Sequence, residues 1–167
     1  RRRDRETLVM LKPDNWRQPS LRAGNIMDLI SGTGLRIVGI KKFSMSVDQA
    51  EEFYGPVRES LKKVFKRFGA VRAAQALSRE FGFPVDAQPL DGLCDYLAPL
   101  FAEREFESIV EFMTGFRPSN CLPEERKRPG REECLAIVYE GVDAINKIRD
   151  ILGATDPLKA RPGSIRR

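Results

Sequence analysis

Leu8-Val9-Met10-Leu11-Lys12-Pro13-Asp14 sets how the rest of the chain is read. Four consecutive apolar residues suit a buried strand, which stops after Lys12 because Pro13 has no N–H for a ladder. Working outward, Ser20 is placed to cap a helix carrying Ile26, Met27 and Ile30 on one face, closed by Gly32 and Gly34. Leu35 to Phe43 reads as a second strand, with Ile37, Val38 and Ile40 supplying β-branched bulk. Ser46 with Gln49 three residues on forms a capping box and opens a helix through Glu52 and Tyr54. Cys134-Leu135-Ala136-Ile137-Val138-Tyr139 is a third strand. Asp143 then leads a helix with Ile145, Ile148 and Leu152 inward and Gly153 at its end. Strand, helix, strand, helices, strand, helix is an α/β (α+β) order.

Two stretches interrupt this rhythm. Arg58 to Phe101 is largely helical, with Leu61, Val64, Phe65 and Phe68 opposite Lys62, Lys63, Lys66 and Arg67. The basic side reads as a solvated face rather than a nucleic-acid surface, because Phe65 and Phe68 lie on the apolar side, away from the charges. Gly115 to Glu133 is polar and carries Pro118, Pro123, Pro129 and Gly130, which suits a surface loop.

Composition narrows the classes. The 167 residues fit a single domain, 1–167, interrupted by insertions at about 58–101 and 115–133. Apolar residues at 41% and charged residues at 32% allow a packed core and argue against disorder throughout. The formal charge of +5 suits an anionic substrate without imposing a single-sign field. No apolar run approaches the roughly 20 residues of a membrane-spanning helix, so no membrane role is expected. Histidine is absent from these residues, so imidazole acid–base chemistry, His–metal ligation and phosphohistidine formation have no carrier among them. Cys94, Cys121 and Cys134 form no C-x-x-C pair and read as reduced, mostly buried thiols of a cytoplasmic protein.

Two features suit phosphate binding. Lys12 stands at a strand terminus, where the sheet fixes the backbone beneath a flexible ammonium. Arg149, in the last turn of the final helix, is followed by Thr155 and, past Pro162-Gly163, by Arg166. Guanidinium groups bind phosphate oxygens bidentately, and a threonine hydroxyl adds a neutral donor. Taken singly, an ordinary surface lysine and a helix C-terminus bearing a dipole-favoured cation explain the same residues. Neither G-x-x-x-x-G-K-[ST] nor G-x-G-x-x-G occurs, and Gly32-Thr33-Gly34 reads as a helix stop. No metal cage is legible: Asp14 and Asp48 are isolated, and the Glu51-Glu52 and Glu132-Glu133 pairs read as solvated charge.

Five blocks, in order, resemble the nucleoside diphosphate kinase family. They are Glu6-Thr7-Leu8-Val9-Met10-Leu11-Lys12-Pro13-Asp14, Gln49-Ala50-Glu51-Glu52-Phe53-Tyr54, Ile109-Val110-Glu111-Phe112-Met113, Tyr139-Glu140-Gly141, and Leu152-Gly153-Ala154-Thr155-Asp156-Pro157 with Arg161-Pro162-Gly163-Ser164-Ile165-Arg166. The resemblance implies a ferredoxin-like sandwich, an antiparallel four-stranded sheet with helices over it, plus a helical insertion. It implies that Lys12, Arg149, Thr155 and Arg166 hold phosphates, that Tyr54 organises the site, and that Phe106 stacks on the base. The Phe106 register rests on Glu105-Phe106 standing where the family often has a Phe-Phe doublet. Pro157 and Gly163 would shape the loop. Magnesium would arrive with the nucleotide, held mainly by its phosphates.

The activity so implied moves the terminal phosphate of ATP or another nucleoside triphosphate to a nucleoside diphosphate through a phosphohistidine. The family's nucleophilic histidine and final strand follow the Ser164-Ile165-Arg166 block, so no catalytic nucleophile is expected within these 167 residues. They read as the ordered part of a longer polypeptide, since a lost edge strand would expose its neighbour's N–H and C=O groups. The alternative is a catalytically inactive nucleotide-binding relative with a regulatory or assembly role. Family members are homo-oligomers, which sets the same expectation here.

Overall fold

A computed structural model describes residues 5–15, 17–154 and 165. The strands are β1 (Glu6–Leu11), β2 (Arg36–Phe43) and β3 (Cys134–Glu140). The helices are α1 (Arg22–Ser31), α2 (Val47–Tyr54), α3 (Val57–Phe81), α4 (Asp91–Thr114) and α5 (Ala144–Leu152). The chain divides into two compact units, Arg1–Ser44 with Glu133–Arg167, and Met45–Glu132.

In the first unit, β3 lies between β1 and β2, antiparallel to both. Val9 and Ile40 both register with Ile137, so period-2 alternation stacks apolar side chains across the sheet. Val9, Leu11, Ile137 and Tyr139 point to one face, where Ile30 of α1 and Ala144 and Ile148 of α5 close the core. β1 ends as its sequence requires. The Lys12 carbonyl accepts from the Asn15 N–H at 3.1 Å and its side-chain amide at 3.0 Å, turning the chain over a buried Pro13. Ser20 sits one residue before the cap position of α1, and its Oγ accepts from the Arg22 N–H at 3.3 Å. Asp143 begins α5 in the left-handed region (φ 56°), which short polar side chains tolerate best.

The second unit begins on the capping box. Ser46 Oγ accepts from the Gln49 N–H at 3.2 Å, and the Gln49 side chain accepts from the Ser46 N–H at 3.0 Å. α3 and α4 form an antiparallel hairpin, set by ion pairs from Arg58 to Glu103 and from Lys66 to Asp95. Phe65, Phe68 and Phe101 pack between them with ring centroids 4.9 to 5.7 Å apart. Gly69 lies in the same seam, where a Cβ would come within 2.7 Å of the Phe65 ring and 3.0 Å of the Cys94 Sγ. Gly82, at φ 75°, ends α3 in a conformation that favours glycine. α4 runs on to Thr114, so the Ile109–Met113 block and the second half of the helical stretch are one helix.

The 115–132 segment is tied down at several points. Arg117 pairs with Glu107 and Glu111 of α4, and Arg126 with Asp48 and Glu51 of α2. Glu51 is therefore an ion-pair partner, which corrects its reading as solvated charge; the loop's own arginine supplies the counter-ion. Gly130 donates to the Met45 carbonyl at 2.9 Å and Arg131 to that of Thr114 at 2.7 Å. Lys62 and Lys66 of the basic face are paired with Glu59 and Asp95, which lowers its net field.

Candidate functional site

Lys12 follows β1 directly, on the turn over Pro13, and its side chain is exposed. The ammonium forms no ion pair with another described residue. Arg149 is also exposed and lies in the last turn of α5, where a cation meets the partial negative charge of the helix C-terminus. Its carbonyl accepts from the Gly153 N–H at 3.1 Å, closing the helix before the chain leaves for Thr155. α5 packs against β1 and α1, so the strand leading to Lys12 and the helix bearing Arg149 are neighbours in one unit. Neither side chain is paired with a carboxylate among the described residues. A cleft of about 420 Å³ in the same unit is lined by Asp14, Arg17, Ser20 and Arg22, among others. Arg22 and Asp14 pair there at 3.9 Å.

Thr155 and Arg166 lie outside the described residues, as do Pro157 and Gly163. Tyr54 and Phe106 belong to the second unit. Tyr54 is the half-buried last residue of α2, edge-on to Phe53 at 4.9 Å between centroids. Phe106 requires a correction. It is 0% exposed in the middle of α4, and the Arg58 guanidinium lies over its ring at 3.4 Å. So placed, it is a core residue and offers no ring face to a base. Glu103 anchors Arg58 there with bonds of 2.8 and 3.2 Å, and that same pairing holds the Glu103 carboxyl below the usual carboxylate range. The Arg58–Phe106 contact has no local sequence signal, since it joins two helices.

Among the described residues no group of three or more His, Cys, Asp or Glu side chains is arranged to hold a metal. No described helix is long and apolar enough to cross a membrane.

The nucleoside diphosphate kinase family model matches residues 5–74 and 127–167. The chain belongs to the nucleoside diphosphate kinase family. Similar proteins include the nucleoside diphosphate kinase of Helicobacter pylori (strain P12), 27% identical over 160 residues covering 96% of this chain and 72% of that protein. That of Campylobacter hominis is 26% identical over 161 residues, 96% of this chain and 73% of its own. Among solved structures, an NDP kinase from Pyrobaculum aerophilum superposes with a TM-score of 0.59 at 24% identity, covering 97% of this chain and 74% of that one. A halophilic nucleoside diphosphate kinase from Halobacterium salinarum, in complex with CDP, gives 0.54 at 23%, covering 98% and 67%. At these identities the superpositions speak for the fold: an antiparallel sheet with helices, the ferredoxin-like arrangement of the nucleoside diphosphate kinases. The two matched segments contain Lys12, Tyr54, Arg149, Thr155 and Arg166. Phe106 falls in the unmatched span between them.

Proposed function

We propose that this nucleoside diphosphate kinase family member transfers the terminal phosphate of ATP or another nucleoside triphosphate to a nucleoside diphosphate. The observation that carries the reading is the family match across both segments that hold the phosphate-binding set. Placement of Lys12 and Arg149 on adjoining elements, exposed and without carboxylate partners among the described residues, supports it.

The residues at hand do the electrostatic and positioning part of the chemistry. Phosphoryl transfer spreads negative charge over the equatorial oxygens, so preplaced cations lower the barrier by stabilising charge as it develops. Lys12, Arg149 and Arg166 supply that charge, Thr155 a neutral donor, and Tyr54 the organisation of the nucleophile's surroundings. Magnesium enters with the nucleotide and neutralises part of its phosphate charge. The family's phosphoryl carrier is a histidine, and these 167 residues contain none. The protein acts in the cytoplasm as a homo-oligomer.

Intact mass of the purified natural protein, before and after incubation with ATP and magnesium, tests this. Gain of one acid-labile phosphoryl group, discharged by a nucleoside diphosphate, is the expected result. Nucleotide binding with no phosphoryl gain would instead mean a relative that binds without turnover.

A further inference from the structure

We propose that Arg126 is a positioning residue: it fixes the roll of α2 about its own axis and, through it, the placement of Tyr54. The role rests on the part proposed above for Tyr54 in organising the nucleophile's surroundings. α2 has eight residues, too few to hold a helix without outside contacts. It packs on α4, and its buried side chains are Val47 and Ala50, three apart along one line of the helix. Contact along a single line leaves a short helix free to roll. Asp48 and Glu51 each follow one of those two residues, so they stand on a second line about 100° around the helix. Tyr54, the last residue of α2, comes three after Glu51 and is its neighbour on the helix surface.

Arg126 grips that second line. Its Nε donates to Asp48 at 3.0 Å and a terminal nitrogen donates to Glu51, so one guanidinium spans two carboxylates of α2. The Arg126 carbonyl also accepts from the Asp48 N–H at 3.2 Å, which adds a main-chain tie to the first turn. Only 29% of the Arg126 side chain is exposed, so its surroundings hold the fork in place, unlike a loose surface pair. Two anchor lines about 100° apart stop the roll that one line permits, and Tyr54 sits at the end of the helix so fixed. Arg117, by contrast, ties the same 115–132 segment to Glu107 and Glu111 of α4. Arg126 lies in the span between residues 74 and 127 that the family model leaves unmatched, whereas α2 lies within the matched part. A segment outside the matched part therefore supports an element inside it.

The test is steady-state kinetics of the natural protein with ATP, magnesium and a nucleoside diphosphate, with helicity measured alongside. Arg126→Ala keeps the main-chain ties of the loop to Met45 and Asp48, so helicity should hold. It should lower kcat about tenfold with KM changed less than about twofold, because a displaced organising group costs turnover more than binding. Arg126→Lys should recover part of the loss, since an ammonium still reaches one carboxylate. Arg117→Ala, which loosens the same loop from α4, should leave kcat unchanged. In a Tyr54→Ala background the further effect of Arg126→Ala should shrink below about twofold, as expected when one residue acts through the other. Wild-type kcat in Arg126→Ala beside a lowered kcat in Tyr54→Ala would overturn the inference alone. So would losses that multiply in the double variant, or an equal loss from Arg117→Ala. Wild-type kcat in Tyr54→Ala would instead overturn the part given to Tyr54, and this role with it.

Discussion

At the scale of single residues, one hydroxyl stands out. Tyr139 is 2% exposed in the first unit's core, and its hydroxyl finds no hydrogen-bond partner among the described residues. Burial pushes its pKa above the usual tyrosine value, because the phenolate is the form that loses most by leaving water. The sign follows. The unfolded chain ionises first, near pH 10, so this residue's contribution is complete below that pH and is lost as pH rises through the folded pKa. Tyr139→Phe should therefore leave stability at pH 8 unchanged or raised by about 1 kcal/mol, and should flatten the decline above about pH 10. Urea midpoints at the two pH values check both parts; a variant weaker by more than about 1 kcal/mol at pH 8 would contradict the unpartnered hydroxyl. The proposed phosphate-binding residues make the second residue-scale prediction. If Arg166 meets charge that develops during transfer, Arg166→Ala in the complete enzyme lowers kcat far more than nucleotide affinity, and equal losses would mark it as a binding residue only.

At the scale of elements, close approach of three backbone segments decides how the second unit is built. A Cβ on Gly130 would stand 2.5 Å from both the Met45 and Thr114 carbonyl oxygens. Neither is the end of a flexible side chain, so relief requires a shift of the chain that enters α2 or the chain that leaves α4. Gly130→Ala should cost about 1–3 kcal/mol, the usual range for forced overpacking, with the loss visible in thermal unfolding. A change below about 0.5 kcal/mol would mean the loop slides freely over the two carbonyls. This contact also explains the limit of sequence reading here. Pro129-Gly130 announces a turn, but nothing local says that residues 45 and 114 lie beneath it.

For the whole molecule, the division into two units gives each a natural reporter. Cys134 is buried in the first unit and Cys94 in the second, whereas Cys121 is half-buried in the 115–132 loop. An aromatic disulfide reagent under native conditions should label Cys121 first. Cys134 and Cys94 should follow only at the opening rates of their own units, resolved by mass spectrometry of the digests. Comparable immediate labelling of all three would contradict the cores described. How far the sequence alone reached can be argued from particular elements. Strands β1, β2 and β3, the Ser46–Gln49 capping box and the α5 stop at Gly153 were legible because each rests on local chemistry: β-branched runs, a reciprocal side-chain cap, a glycine in an unusual backbone conformation. The proposed phosphate-binding set rests on a resemblance, since its spacing lies along the chain. Tertiary structure decided what depends on residues far apart in sequence. It put Arg58 over Phe106 and buried that ring, turned Glu51 into a partner for Arg126, and set Gly130 against two carbonyls. It also left Val64, Val71, Leu93, Tyr96 and Leu100 exposed on the α3–α4 hairpin. Local propensity acts within a few residues, whereas burial and ion pairing depend on which segments the chain brings into contact.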